Sequence, residues 1–175
     1  GEKGGAIYIR NTNVLVSNCI IVNSSAEFGG AIYVHGDSVN TTIKDSLFIN
    51  NSAITSGGAS YDVGENTTYN NCDFIGNNAV YGTIYSKSLN GVITDCNFIN
   101  NTAKYGGAIY LNALNYVIEN SNIINNTATA YGGAIYVGSS SENTRINNVK
   151  FENNSAAEYG GAIYLNALNY VIENS

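Results

Sequence analysis

The chain has 175 residues, enough for one domain with a continuous core, and a hydrophobic fraction of 44% that is ordinary for a folded protein. Only 11% of the residues are charged and the net charge is −6, so Lys and Arg are too few to neutralise phosphates, and no nucleic acid partner is expected. No uninterrupted apolar stretch is long enough to cross a bilayer, so we expect no membrane span in this segment.

The chain opens at Gly1–Lys3 without a starting Met or a signal peptide, and it stops at Ser175 inside a repeat. We therefore expect residues 1–175 to be a single segment taken from a longer repeat array. Targeting signals and anchors would then lie outside this stretch.

A Gly-Gly-Ala-Ile-Tyr motif recurs along the whole chain. It stands at Gly4–Tyr8, Gly29–Tyr33, Gly106–Tyr110, Gly132–Tyr136 and Gly160–Tyr164, with degenerate copies at Gly57–Tyr61 and Tyr81–Tyr85. Successive copies begin 25, 28, 24, 25, 26 and 28 residues apart. A second motif of the Phe-Ile-Asn-Asn-Ser/Thr-Ala type alternates with it, at Leu47–Ala53, Asp73–Ala79, Asn97–Ala103, Asn122–Ala128 and Lys150–Ala156. Self-similarity at this period is typical of a solenoid.

Each repeat contains three short β-like runs and no helical pattern. In the second repeat they are Ala31–Val34, Thr41–Asp45 and Leu47–Ile49, separated by residues that favour turns. The sequence therefore predicts an all-β fold: a right-handed, single-stranded parallel β-helix (a pectin-lyase-like solenoid) of about seven coils of 24–28 residues. A leucine-rich repeat has a similar period, but its Leu-x-x-Leu-x-Leu frame does not occur.

Period-two alternation assigns three columns of side chains to the interior. The first holds Phe48, Phe74, Phe98 and Phe151 with Ile21 and Ile123. The second holds Val16, Ile43, Ile93, Ile118 and Ile146 with Tyr69 as a bulky exception, and the third holds Ile7, Ile32, Ile84, Ile109, Ile135 and Ile163. One coil buries too little apolar surface to offset its ordering entropy, so coils are stable only when stacked. Uncapped end coils would also permit end-to-end association.

The pairing of Gly-Gly-Ala-Ile with Phe-x-x-Asn resembles the polymorphic outer-membrane protein repeat of chlamydial-type autotransporter adhesins. The residues that carry it here include Gly30–Ile32 with Phe48–Asn51, and Gly107–Ile109 with Phe98–Asn101. The Asn-, Ile- and Tyr-rich composition is also similar to that of the archaeal adhesin-like proteins of methanogens. Both resemblances cover essentially the whole chain, and both imply a secreted, surface-attached protein implicated in adhesion.

The tyrosine that follows each inward residue of the third column should face outward, and these tyrosines are the candidate binding residues. They are Tyr8, Tyr33, Tyr61, Tyr85, Tyr110, Tyr136 and Tyr164. Because adjacent strands lie about 4.8 Å apart, the rings would form an exposed strip able to stack on sugar rings or on a partner protein. Stacked tyrosines also stabilise a sheet without any partner. Phe28, Tyr105, Tyr131 and Tyr159 either widen the strip or seal a turn.

Asparagines recur in pairs at one turn of the repeat. The second member of each pair predicts a structural ladder of stacked amides at a turn that tolerates left-handed backbone: Asn51, Asn77, Asn101, Asn126 and Asn154. The preceding position supplies Asn-x-Ser/Thr sequons at Asn23, Asn50, Asn100, Asn125 and Asn153, and Asn40 and Asn66 add two more. The sequons permit glycosylation, but they also arise by chance in so Asn-rich a chain.

Cys19, Cys72 and Cys96 fall in one register, where other coils have Ser46, Ser121 or Val149. Adjacent coils bring Cys72 and Cys96 within disulfide range by Cα distance, but strand geometry disfavours the bond, and Cys19 would be left over. We expect three small thiols, and the spacing supports no zinc or other metal site.

Enzymes that cleave polysaccharides on this fold need clustered carboxylates. The best candidate cluster combines His35 and Asp37 with Asp62 and Glu65 of the degenerate third repeat. A solvated polar loop accounts for the same residues, so we expect no catalytic site, no cofactor and no enzyme activity.

The sequence favours an extracellular, cell-surface, adhesin-like segment that attaches to a host, cell or glycan surface through its lateral sheet. The partner would be a cell-surface glycan or a protein receptor. Two alternatives stay open: a passive stalk or spacer, and a β-helix polysaccharide lyase or hydrolase.

Overall fold

Parallel strands from successive coils pair into three long sheets in a computed structural model that describes residues 1–175. The first sheet contains Ile7–Ile9, Ile32–Val34, Ser60–Asp62, Ile84–Ser86, Ile109–Leu111, Ile135–Val137 and Ile163–Leu165. The second contains Leu15–Ser17, Thr42–Lys44, Thr68–Asn70, Val92–Thr94, Val117–Glu119, Arg145–Asn147 and Val171–Glu173. The third contains Ile20–Val22, Leu47–Ile49, Asp73–Ile75, Asn97–Ile99, Asn122–Ile124 and Lys150–Glu152. The chain makes about six turns, and the prediction of an all-β parallel β-helix is confirmed.

A fourth strand in most coils was missed by the sequence analysis. These strands are Ser25–Phe28 paired with Ser52–Ser56, and Thr102–Tyr105 paired with Thr127–Tyr131, which pairs in turn with Ser155–Ala156. Single bridges at Asn78 and Tyr81 join the two groups across the third coil. The sequence signal for these strands is weak because their inward-facing residue is only an alanine, as at Ala53 and Ala103. No helix able to span a bilayer is present.

The inward columns predicted from the alternation form the core. Phe48, Phe74 and Phe98 are register partners, and their stacked rings lie 4.9 Å and 4.7 Å apart from centroid to centroid. The isoleucines of the other two columns, such as Ile43 and Ile109, are likewise fully buried. The columns are therefore continuous from coil to coil, with lower burial only near the two ends.

The paired glycines of the repeat solve two backbone problems at one corner. Gly29 has a φ of 65°, a left-handed conformation that glycine adopts without strain. At Gly30 a Cβ atom would collide with the carbonyl oxygen of Gly58 in the next coil. The same pairing recurs at Gly132 and Gly133, so the motif marks a tight corner with close backbone contact.

Asparagine and aspartate occupy the other sharp corners. Every non-glycine residue with positive φ is Asn or Asp, with φ between 50° and 57°. The first corner, before the second sheet, holds Asn13, Asn40, Asn66, Asn90, Asn115, Asn143 and Asn169. The second corner, between the second and third sheets, holds Asn18, Asp45, Asn71, Asp95, Asn120, Asn148 and Asn174. The third corner, after the third sheet, holds Asn23, Asn50, Asn100, Asn125 and Asn153, with Gly76 in the remaining coil.

An internal amide ladder runs beside the third corner. Nδ2 of each member donates to Oδ1 of the member in the next coil. The four successive distances are 3.1 Å (Asn51 to Asn77), 3.1 Å (Asn77 to Asn101), 2.9 Å (Asn101 to Asn126) and 3.0 Å (Asn126 to Asn154). The backbone N–H groups of Asn51, Asn77, Asn101 and Asn126 also donate, each to the same Oδ1 atom that accepts from its own side-chain amide. The ladder residues themselves lack positive φ, so the left-handed position expected for them belongs to the residue before.

Asp62 interrupts an inward column of the first sheet. It is the register partner of Val34 and Ser86 and is fully buried. Its carboxylate accepts hydrogen bonds from the Gly64 N–H at 3.1 Å, the Thr67 hydroxyl at 3.0 Å and the Ser86 hydroxyl at 3.4 Å. Burial raises the pKa of Asp62 to about 6, and these three hydrogen bonds oppose that shift.

Two buried hydroxyls near this carboxylate extend the polar interior. The Tyr69 hydroxyl lies 2.7 Å from the Ser60 Oγ atom. Tyr116 is fully buried above Gly91, where a Cβ would collide with its ring, and its hydroxyl has no hydrogen-bond partner. The core therefore departs from a purely apolar stack in the coils that follow the degenerate Gly-Gly-Ala-Ser-Tyr repeat.

We expect Asn101→Ala to destabilise the protein by about 1–3 kcal/mol, because the Asn77 N–H and amide lose a buried acceptor. Equilibrium unfolding in urea measures the effect. Asn100→Gly is the matched control, since Gly76 already occupies the equivalent position, and it should shift stability by less than roughly 0.5 kcal/mol. Equal stability of the two variants would contradict a structural role for the ladder.

We expect Asp62→Asn to remove a pH dependence of stability. Because the folded pKa of about 6 lies above the ordinary aspartate pKa of 3.8, the folded state holds this proton more tightly than the unfolded chain does. The resulting stabilisation is fully present below about pH 4 and is lost as the pH rises through about 6. The free energy of unfolding of the wild type should therefore fall by up to about 3 kcal/mol across this range.

Denaturant unfolding at several pH values measures this slope, the change in the free energy of unfolding with pH. Asp37→Asn, at an exposed carboxylate, is the control and should keep the wild-type slope. An unchanged slope in Asp62→Asn would show that this carboxyl is not the group responsible.

Candidate functional site

The seven candidate tyrosines form one unbroken stack on the outer surface of the first sheet. Each is the register partner of the next, as Tyr8 is of Tyr33 and Tyr110 is of Tyr136. Successive ring centroids lie 4.6–5.3 Å apart, and the planes differ by no more than 17°. In-register pairing of identical residues produces this geometry because outward side chains of adjacent parallel strands lie side by side.

The stack is less exposed than the sequence analysis predicts. Tyr33 is 7% exposed and Tyr85 is 8% exposed, whereas Tyr8, which has a neighbour on one side only, is 46% exposed. The reason is the stacking itself, since each inner ring has both faces covered by its neighbours. Ring edges are what remain accessible, so stacking of a sugar on a tyrosine face is not available along the middle of the column.

A second aromatic column lies beside the first and widens it. Its members are Phe28, Tyr81, Tyr105, Tyr131 and Tyr159, with Ser56 at the equivalent position before Gly57. Phe28 meets Tyr61 edge-on at 5.3 Å, and Tyr81 meets Tyr110 edge-on at 5.3 Å. We refer to the two columns together as the aromatic face.

Lysines lie over the aromatic face. The ammonium groups of Lys3 and Lys87 stand 5.2 Å and 5.7 Å from the ring centroids of Tyr33 and Tyr85. These contacts place positive charge beside the rings of a chain that is acidic as a whole.

The phenol groups of the aromatic face are neutral hydrogen-bonding groups. Desolvation, reinforced by the neighbouring tyrosines, raises the pKa of Tyr61 and that of Tyr110 to about 12. Both hydroxyls therefore stay protonated throughout the neutral range. The face offers repeated apolar ring edges together with hydroxyl donors and acceptors.

The structure does not assemble the candidate catalytic cluster. Asp62 is buried because period-two alternation turns it into the core, whereas Glu65 is exposed in the loop that follows. Asp37 is exposed and pairs with Arg10 at 2.9 Å. His35 lies next to Asp37, and its ring lies 6.0 Å from that of Tyr8 at the edge of the aromatic face.

The three cysteines are free thiols. Cys72 and Cys96 are buried, and Cys19 is partly exposed near one end of the stack. Ser46 and Ser121 occupy the same register position in other coils. Their hydroxyl groups accept hydrogen bonds from the backbone N–H of Cys19 and of Cys96, respectively, at 3.1 Å each.

Comparison with known proteins gives one family match. The Chlamydia polymorphic membrane protein repeat matches residues 95–112, 120–138 and 148–166. Each match contains a strand of the third sheet, the short fourth strand and the Gly-Gly corner that leads into the tyrosine strand. Neither the curated proteins nor the solved structures gave a significant match.

The repeat is that of an outer-membrane, surface-exposed family, which supports a cell-surface location in general terms. Its three matches coincide with coils whose strands, corners and amide ladder are described above. The chain is accordingly a parallel β-helix that carries three copies of the polymorphic membrane protein repeat within residues 95–166.

Proposed function

We propose that this chain is an adhesin-like segment that attaches to a host, cell or glycan surface through its aromatic face. The observation that carries the proposal is the continuous tyrosine stack along one lateral surface, with the second aromatic column, interrupted only at Ser56, beside it. Tyrosine is enriched at protein interfaces because it combines apolar area with a hydroxyl at low conformational cost.

The geometry favours contact through ring edges and hydroxyls instead of ring faces. Partly exposed rings such as Tyr105, Tyr110, Tyr131 and Tyr136 present these groups once per coil. A partner with its own repeated hydroxyl or amide groups, such as a cell-surface glycan or an extended protein receptor, would engage several coils at once. Weak contacts made together in this way give a high overall affinity.

A passive stalk is the second candidate function, and the low exposure of Tyr33 and Tyr85 favours it. Rings that cover one another stabilise the sheet even when no partner is present. In that case other domains would bind, and the aromatic face would serve only to hold the coils together.

The polysaccharide lyase or hydrolase alternative requires carboxylates that converge on one lateral face. The burial of Asp62 and the exposure of Glu65 and Asp37 on the surface disfavour this arrangement for the candidate residues.

A paired substitution separates the adhesin from the stalk. Tyr105→Ser with Tyr131→Ser removes two rings of the second column and should weaken binding to fixed cells and to a glycan array by on the order of tenfold or more. Val92→Ser with Val117→Ser, on the outer surface of the second sheet, is the matched control and should bind as the wild type does. Circular dichroism and urea midpoints verify that both variants fold.

Loss of binding in the aromatic variant alone supports the aromatic face as the contact surface. If the wild type fails to bind, or if both variants lose binding equally, the stalk function is favoured and the adhesin proposal fails.

A further inference from the structure

The third corner differs from the other two in what its residues can do. Five coils place an asparagine there, at Asn23, Asn50, Asn100, Asn125 and Asn153, and all five are exposed. Each has left-handed backbone. Gly76 fills the corner in the remaining coil, so the fold requires only a residue that tolerates positive φ.

All five asparagines head an Asn-x-Ser/Thr sequon. The hydroxyl residues two positions on are Ser25, Ser52, Thr102, Thr127 and Ser155, each of which begins the fourth strand of its coil. Four of them are exposed, and Ser52 is half-buried. The coil with Gly76 has no sequon at this corner, and no asparagine of the second corner heads one.

The side-chain amides of the third corner make no hydrogen bonds, although the other corners do. In the first corner, Nδ2 of Asn40 donates to Oδ1 of Asn13 at 3.1 Å, and Nδ2 of Asn115 donates to Oδ1 of Asn90 at 3.0 Å. In the second corner, Nδ2 of Asn148 donates to Oδ1 of Asn120 at 2.8 Å. The amides of the third corner are therefore exposed and free to react, whereas the neighbouring ladder residues keep theirs inside.

We propose that the third corner is a row of N-glycosylation sites. The donor would be an oligosaccharide linked to a lipid phosphate, transferred by an oligosaccharyltransferase. In the reaction the anomeric carbon of the sugar forms a bond to Nδ2 of the asparagine, and its bond to the phosphate oxygen breaks. The amide nitrogen gives up one proton, and the lipid phosphate leaves.

Sugars at this corner would lie beside an aliphatic column on the outer surface of the third sheet. Val22, Ile49, Ile99 and Ile124 each immediately precede a corner asparagine, and Val22 is 43% exposed. Carbohydrate there would screen this apolar column from other chains. The tyrosine stack of the aromatic face is on the first sheet, whereas its second column lies at the far end of the fourth strands that begin with the sequon hydroxyl residues.

Coil spacing limits how completely the row can be filled. Adjacent corners lie about 4.8 Å apart, too close for a branched oligosaccharide on every consecutive coil. We therefore expect partial occupancy in the run Asn100, Asn125 and Asn153. We also expect lower occupancy at Asn40 and Asn66, whose amides are engaged in the first-corner ladder.

Glycopeptide mass spectrometry of the chain purified from its source organism tests the proposal. The expected result is glycan mass on third-corner asparagines, with more occupancy there than at Asn40 and Asn66. Peptides of unmodified mass at all five positions, or glycan confined to Asn40 and Asn66, would overturn it.

Matched variants produced in the same organism locate the attachment points. Asn100→Gly should reduce the glycan mass carried by the chain, and the fold should tolerate it because Gly76 is its natural equivalent. Asn120→Gly changes a left-handed asparagine that heads no sequon and should leave the intact glycan mass as it is. A wild-type glycan mass in Asn100→Gly, together with unmodified Asn100 peptide in the wild type, would exclude that position.

Discussion

Stacking of like side chains between coils is the interaction on which the rest of the structure depends. A single coil cannot offset the entropy of ordering its residues, so its strands acquire a core only from the coils above and below. The phenylalanine column and the Asn51 to Asn154 ladder show how this works, since each residue meets its own counterpart in the next coil. Apolar contact and buried hydrogen bonding therefore repeat at one spacing along the whole chain.

The same constraint explains the unusual composition. Corners that must recur at one place in every coil need left-handed backbone, which accounts for much of the chain's asparagine and glycine. Proline is absent from the sequence, as expected where almost every strand must donate ladder hydrogen bonds on both sides. Tyrosine follows the same logic on the outer surface, because rings held in register by their strands cover one another.

Much of the fold could be predicted because period-two alternation and repeat spacing are strong signals for long aliphatic and aromatic side chains. The fourth strand escaped because only alanines such as Ala103 mark its inward side. Asp62 was interpreted as a loop residue because a carboxylate is a poor indicator of an inward position, although its register with Val34 could have revealed it. Exposure of the tyrosines was overestimated because alternation gives the direction of a side chain and not what its neighbours cover.

Coils that depart from the repeat distinguish residues needed for stacking between coils from residues available to bind a partner. Ser56 replaces an aromatic residue in the second column without breaking the tyrosine stack beside it, so the second column is not required for that stack. Gly76 replaces asparagine at the third corner and leaves the amide ladder intact. The fold therefore requires neither an aromatic residue at every position of the second column nor an asparagine at every third corner. The aromatic residues of the second column and the sequon asparagines of the third corner are therefore the positions at which binding and modification should be sought.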